Sequence, residues 1–342
     1  MLQQKQETLN MDTINWGISP ADLASALGGM TLQGVYRILK QHKVKTNAGM
    51  RRLVKFNEVR EILISRNFEY PNKNYSFQIV KGGAGKTSLS SNFALRASQY
   101  GAKVLAIDFD QQGNFTSTFG INTKDKPVFI NLFRKEVSVE DAIVPVNDAL
   151  HIIPSSLDNS RLDVELTQKS SLNIRDLIRD ILEPIRNKYD IVVMDCPPAI
   201  NKINVAVTCS SDYVVIPVNP DQYSMDGLEF TVAELINIQK DFKIQSLDYF
   251  IVWNKYDARE RLGAHFMHYL VKDSSKVSKI LPVVIRTDAS IKNAVYEMKT
   301  IFERGKKTTI KEDIDHFTRE ILGISFWSES KVKEKREAGI VV

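Results

Sequence analysis

Two lysines open the chemistry of this chain, Lys81 and Lys86, both within Lys81-Gly82-Gly83-Ala84-Gly85-Lys86-Thr87-Ser88. A glycine-rich turn ending in Gly-Lys-Thr points successive backbone N–H groups at phosphate oxygens, sends a lysine to the outer phosphates and offers a hydroxyl to Mg²⁺. Lys86 and Thr87 fit the last two roles, and Gly82, Gly83, Ala84, Gly85 and Ser88 supply the cradle. The general pattern has glycine where this chain has Val80, and Lys81 follows that site directly. Three carboxylates add to the site. Asp108 and Asp110 lie in Asp108-Phe109-Asp110-Gln111-Gln112-Gly113-Asn114, and Asp195 opens Asp195-Cys196-Pro197-Pro198. One aspartate at a strand end is commonly a loop cap. Three of them beside a phosphate loop read as a hydrolytic site, with an aspartate as the Mg²⁺ partner through water.

Such residues need elements to hold them. Residues 75–80 read as a buried strand entering the loop, and 87–96 as a helix leaving it, its N-terminal dipole beneath the phosphates. Further apolar strands are predicted over 103–108, 189–194, 212–217 and 249–253, with a helix over 224–242. This alternation predicts an α/β fold with a doubly wound, mostly parallel sheet of the P-loop NTPase kind, its ligand crevice at the strands' C-terminal edges.

At 342 residues the chain is long enough for one large or two ordinary domains. It has no run of apolar residues long enough to span a bilayer, and its Gln-rich start lacks a signal pattern, which predicts a cytoplasmic protein. Cys196 and Cys209, the two cysteines, read as small buried residues in a reducing compartment. The net charge of +5 is unevenly placed: residues 1–76 hold 11 Lys and Arg against 6 Asp and Glu, which leaves 35 against 35 in the rest. Such a basic quarter suggests a polyanionic partner.

That quarter has its own organisation. Ser19, Pro20 and Asp22 resemble a helix start for 21–27, and Gly28-Gly29 stops it. Thr31 caps a second helix with Leu32, Val35 and Leu39 inward and Gln33, Arg37, Lys40 and Gln41 outward. A small hairpin around Val44-Lys45-Thr46 and Arg51-Arg52-Leu53-Val54, then a helix over 57–65, complete a winged helix-turn-helix. If it binds DNA, Thr31, Gln33, Arg37, Lys40 and Lys43 enter or flank the major groove, while Lys45, Arg51 and Arg52 hold the phosphate backbone. The alternative is a small helical domain with a solvated basic face. The predicted layout is a winged domain over 1–70, a linker over 71–74, the ATPase over 75–325 and a charged tail over 326–342.

Taken together, the loop with its Lys81, the Asp-x-Asp-x-Gln-Gly-Asn segment and the Asp-Cys-Pro-Pro segment resemble the ParA family of partition ATPases, over about residues 75–302. The early lysine marks the deviant form of the phosphate loop. The resemblance implies ATP and Mg²⁺ as cofactors and a homodimer in which Lys81 crosses to the partner's ATP. It implies that Lys86 binds phosphate, that Asp110 positions the attacking water, and that Thr87, Asp108 and Asp195 serve Mg²⁺. It further implies that Asn254 reads the adenine edge, with Asp257, Ile285 and Arg286 around the base. The implied function is DNA segregation with nonspecific DNA binding, a ParB-type partner that stimulates hydrolysis, autorepression, and nucleoid association without a membrane. Gln111 departs from the family's usual proline, and Val80 from its usual polar residue or glycine. The alternatives are a MinD-like membrane-positioning ATPase and a nucleotide-sensing regulator of transcription.

Three weaker signals have plain readings. His265 and His268 read as a solvated helix face, with no third metal ligand in view. Arg304, Lys306, Lys307 and Lys311 read first as a solvated face, with nonspecific DNA contact as the alternative. The tail Lys331-Val332-Lys333-Glu334-Lys335-Arg336 lacks the apolar stripe of an amphipathic membrane helix.

Overall fold

Alternation along the strands decides the layers. Val104, Ala106, Ile191, Val193 and Val215 pack into one apolar cluster, while their neighbours Leu105, Ile107, Val192 and Met194 pack into a second on the other face. The computed structural model describes residues 17–44, 53–169, 173–297, 300–303, 308–328 and 330. It shows one eight-stranded sheet in the order β3-β4-β2-β5-β1-β6-β7-β8. The strands are β1 (Lys73–Phe77), β2 (Val104–Asp108), β3 (Val144–Pro145), β4 (Leu150–Ile153), β5 (Ile191–Asp195), β6 (Tyr213–Val218), β7 (Asp248–Tyr256) and β8 (Ile280–Arg286). Within this sheet, among the described residues, only the short β3 pairs antiparallel. The fold is the α/β P-loop NTPase fold expected from the sequence.

Sheet order creates the crevice. The chain leaves β1 for β2, returns to fill the gap with β5, then continues on the other side with β6, so direction reverses beside β1. Register sets Phe77 and Asp108 each opposite Asp195. The three strand ends bearing the predicted chemistry are therefore adjacent.

Near the N-terminus the structure has three helices, α1 (Pro20–Ala26), α2 (Leu32–Gln41) and α3 (Phe56–Ile64). Ser19 and Asp22 cap α1 reciprocally, and Thr31 Oγ1 accepts the Gly34 N–H at the start of α2. Gly28 and Gly29 both take positive φ in the turn between them. Val35, Ile38 and Leu39 form the inward stripe of α2, and Gln33, Arg37, Lys40 and Gln41 face solvent. Leu32, expected inward, is 50% exposed, because it stands at the helix start beyond that stripe. Ile18 and Val54 pair antiparallel, but Lys45, Arg51 and Arg52 lie outside the described residues.

Several boundaries differ from expectation. The predicted linker is partly strand: β1 begins at Lys73, whose ammonium meets Asp212 at 3.0 Å, while Asn74 donates to Asp212 and to the Ser210 carbonyl. The strand in turn ends at Phe77, although the Gln78 N–H still donates to the Val215 carbonyl of β6, and the Gln78 side chain bonds Ser76 and Thr208. Among the described residues the N-terminal helices pack onto the rest of the chain. Leu39, Val59 and Leu63 share a single apolar cluster with Phe93, Tyr100 and Phe317 of the body that carries the sheet. At this junction Arg96, fully buried, bonds Asp22 of α1 and Asp315 of the helix Thr309–Ile321. Arg60 forks to Asp190 and donates to the Gly101 carbonyl. The folded body also continues past 325, where Trp327 packs edge-on against Phe68. Cys196 is buried as expected and Cys209 only partly. No helix among the described residues is long and apolar enough to cross a membrane. Arg304, Lys306, Lys307 and the tail from 331 lie outside the described residues; Lys311 lies in the first turn of the helix after them, half-buried.

Candidate nucleotide site

The turn between β1 and α4 (Lys86–Gln99) is shaped by glycine. Gly83 and Gly85 have φ of +73° and +91°, and a Cβ on Gly85 would lie 2.3 Å from the Asn254 amide nitrogen. The turn opens on a cavity of about 800 Å³, bounded by Gly85, Lys86, Thr87, Asp110, Pro197 and Lys255 among others. Lys86 is 6% exposed and donates to the Ile79 and Lys81 carbonyls at 3.3 and 3.4 Å. Burial holds its pKa below the usual lysine value, against the pull of Asp195. An anion's charge is what this ammonium is placed to meet.

Beside it, Thr87 Oγ1 donates to Asp195 at 2.7 Å and Ser90, one turn on, donates to the other oxygen at 2.8 Å. Asp108 accepts the N–H and hydroxyl of Thr116 on one oxygen and the Asp110 N–H on the other. Both carboxylates are fully buried. Burial, and then the neighbouring Asp195, push Asp108 up to about 8. Asp195 is pushed up by burial to about 6, restrained by its bonds from Thr87 and Ser90. An all-oxygen set of hydroxyl and carboxylate, carrying charge that burial disfavours, suits a hard divalent cation such as Mg²⁺. Thr87 and Asp195 stand where they would hold it. Asp108 is taken up with bracing the turn that carries Asp110.

That turn aims Asp110. Its carboxylate accepts the Gln112 N–H at 3.0 Å, its carbonyl accepts the Gly113 N–H, and Gly113 takes φ +63°. Asp110 ends 9% exposed on the cavity wall. Lys81 points elsewhere. Its amine meets Asp221 at 2.6 Å and Ser224 at 2.9 Å, at the start of the helix Gln222–Asp241. Burial works against the Asp221 charge, yet the bonds from Lys81 and Ser224 hold its pKa below the ordinary value.

The residues expected around a base are not brought together. Asn254 is buried and its amide donates to the Ala84 carbonyl at 2.7 Å, so that nitrogen faces the loop and not a base edge. Ile285 is core, 1% exposed. Arg286 forks onto Asp313 beside a separate groove. Asp257 turns to Arg259, whose hydrogen bonds hold its carboxyl at about 2. His265 and His268 are both exposed on the helix Arg261–Lys272. Ser90, Thr116 and Lys255 were not foreseen. Ser90 had a readable signal, lying three residues after Thr87 on the same helix face; Lys255 had none beyond its place at a strand end.

Comparison with known proteins agrees with this geometry. A family model described as an AAA domain matches residues 72–248. Soj of Bacillus subtilis, described as a sporulation initiation inhibitor, is 29% identical over 194 residues, 56% of this chain and 76% of Soj. The chromosome partitioning protein ParA of Caulobacter vibrioides is 31% identical over 187 residues, 54% of this chain and 69% of that protein. Among solved structures, an ATP complex of McdA from Cyanothece shares the fold with a TM-score of 0.65 at 22% identity, covering 73% of this chain and 96% of McdA. A putative plasmid partition protein of Borrelia burgdorferi bound to AMPPNP does so at 0.59 and 20%, covering 75% and 99%. A phosphate loop on this sheet, with aspartates on the two strands beside it, is what these relatives lead one to expect: the chain belongs to the ParA/Soj family of P-loop ATPases.

Proposed function

We propose that this protein is a DNA partition ATPase that binds ATP and Mg²⁺, dimerises around two nucleotides, and hydrolyses ATP under the control of a ParB-type partner. The observation that carries the reading is the cavity lined by Lys86, Thr87 and Asp110, with the buried Asp195 accepting the Thr87 hydroxyl behind it. Lys86 neutralises the outer phosphates and the loop N–H groups bind their oxygens. Mg²⁺ bound beside Thr87 and Asp195 would supply charge neutralisation at the phosphates. Asp110, held by the Gln112 N–H, orients the attacking water. The turn of Lys81 away from its own cavity supports a role toward a second subunit's nucleotide, which is the deviant form of the loop. The outward face of α2, with the amide of Gln33 beside the basic Arg37 and Lys40, supports operator recognition and autorepression by a winged N-terminal unit, with nonspecific DNA binding and nucleoid association belonging to the ATP-bound dimer.

Phosphate release measured with and without duplex DNA and the product of the adjacent open reading frame tests this. Stimulation by both together is expected. Asp110→Ala should bind ATP yet lose about a hundredfold in turnover, and wild-type turnover in that variant removes Asp110 from the mechanism.

A further inference from the structure

A second, smaller pocket of about 30 Å³ lies behind the nucleotide cavity, between the helices Lys202–Ser210 and Gln222–Asp241. Ala199 and Asn201 bound both spaces, so the loop that follows Asp195 is their shared wall. Ile79 and Val80, at the entry to the phosphate loop, close another side of the small pocket.

Its polar lining is made of acceptors. Asn204 is 9% exposed and donates through Nδ2 to the Pro197 and Ala199 carbonyls, which fixes the orientation of its amide and holds the loop. Its Oδ1 is then left buried with no hydrogen-bond partner, and such an atom calls for a water or an ion. Thr231 gives its hydroxyl hydrogen to the Gly227 carbonyl at 2.7 Å, and Gln78 and Thr208 spend theirs on Ser76 and on each other. From the second helix Glu234, half-buried, adds a carboxylate to the same lining.

Such a lining suits a body that brings positive charge and no lone pairs. One carboxylate balances one charge, and about 30 Å³ admits a body the size of a water molecule. Oxygens from an amide, a hydroxyl and a carboxylate are ligands for a hard cation. Among the described residues no group of three or more His, Cys, Asp or Glu gathers to hold a more highly charged one.

We propose that Asn204, Thr231 and Glu234 form a site for a monovalent cation of potassium size, and that the bound ion ties the loop after Asp195 to the helix Gln222–Asp241. Asn204 carries both ends of that tie, its nitrogen on the loop and its oxygen on the ion. Asp221, which caps the second helix, also holds Lys81, so the ion links the loop to the element that anchors this lysine. The site stands on its own geometry; its effect on nucleotide rests on the reading above.

Melting of the full chain without nucleotide, in potassium chloride against N-methyl-D-glucamine chloride at fixed ionic strength, tests the site. Potassium is expected to raise the melting temperature by about 3 °C, and Glu234→Gln, which keeps the shape and removes the charge, to abolish that rise. Thr231→Val should move the midpoint of the potassium dependence up about fivefold. In crystals, thallium(I) acetate should give an anomalous peak between Asn204 and Glu234. Equal melting in both salts, a rise that survives in Glu234→Gln, or density beside Asn204 without an anomalous signal, which is a water, overturns the proposal. Titration with ATP and Mg²⁺ then reads the coupling, with binding about fivefold tighter in potassium and that gain lost in Glu234→Gln. Unchanged ATP affinity with the melting response intact removes the coupling and leaves the ion site. No ATP binding in either salt, with the thallium peak present, means that the nucleotide reading has failed and the ion site has not.

Discussion

Lys86 and Arg96 lie on one helix and are both buried, yet they are partnered in opposite ways. Lys86 donates to two main-chain carbonyls, and burial depresses its pKa. Arg96 meets two carboxylates, Asp22 and Asp315, and stacks over the Tyr100 and Phe302 rings. Burial opposes its charge, but the two aspartates more than offset it. A buried cation left with neutral acceptors at a cavity mouth is built for an anion from outside; one saturated with carboxylates is built to join parts of the chain.

Removing each cation tests that distinction. Arg96→Leu takes the cation from the buried Asp315 and the part-exposed Asp22 and should cost about 3 kcal/mol of stability, read from urea unfolding; a loss under about 1 kcal/mol would show the junction to be peripheral. Lys86→Ala should leave the urea midpoint nearly unchanged while weakening ATP about a hundredfold or more, read by calorimetric titration. Were it to unfold the protein instead, Lys86 would belong with Arg96. Asp22→Asn sharpens the contrast, since it keeps one hydrogen bond of the α1 cap but loses the charge facing Arg96, for about 1–2 kcal/mol.

The smallest effect is a pH dependence of the site. Asp108 and Asp195 hold their protons more tightly in the folded chain, to about 8 and about 6, than at the ordinary carboxylate value of 3.8. The stability tied to those protons is present below about pH 4 and lost as pH rises toward about 8. Metal-free melting temperature should therefore fall across that window, and Mg²⁺ with nucleotide should flatten the slope. A flat metal-free profile would show that the two carboxylates do not repel as their burial implies.

How much of this the sequence disclosed follows the same division. The phosphate loop, Asp108, Asp110 and Asp195 were legible because glycine spacing and apolar runs are local signals: Asp108 and Asp195 each close a strand, and Asp110 follows two residues on. The helix caps at Ser19 and Thr31 were legible for the same reason. Three things were hidden. The pairing of Arg96 with Asp22 joins residues far apart in the chain, and no local pattern encodes it. The β7 residue Lys255 reaches the loop only because strand order sets β7 two strands from β1. Ile285 and Arg286 were assigned to the base from a resemblance, but packing places one in the core and turns the other to Asp313.

The joining of α4 to both places has a mechanical meaning. From Lys86 to Arg96 the helix runs about 15 Å, so pivoting it by about 5° at the phosphate end swings Arg96 by about 1.3 Å. That displacement separates a hydrogen bond from none. The helix is a lever with a nucleotide grip at one end and a three-way joint at the other. A change of fit at the grip would therefore arrive, enlarged, at α1 and at its neighbour α2, which carries Arg37 and Lys40.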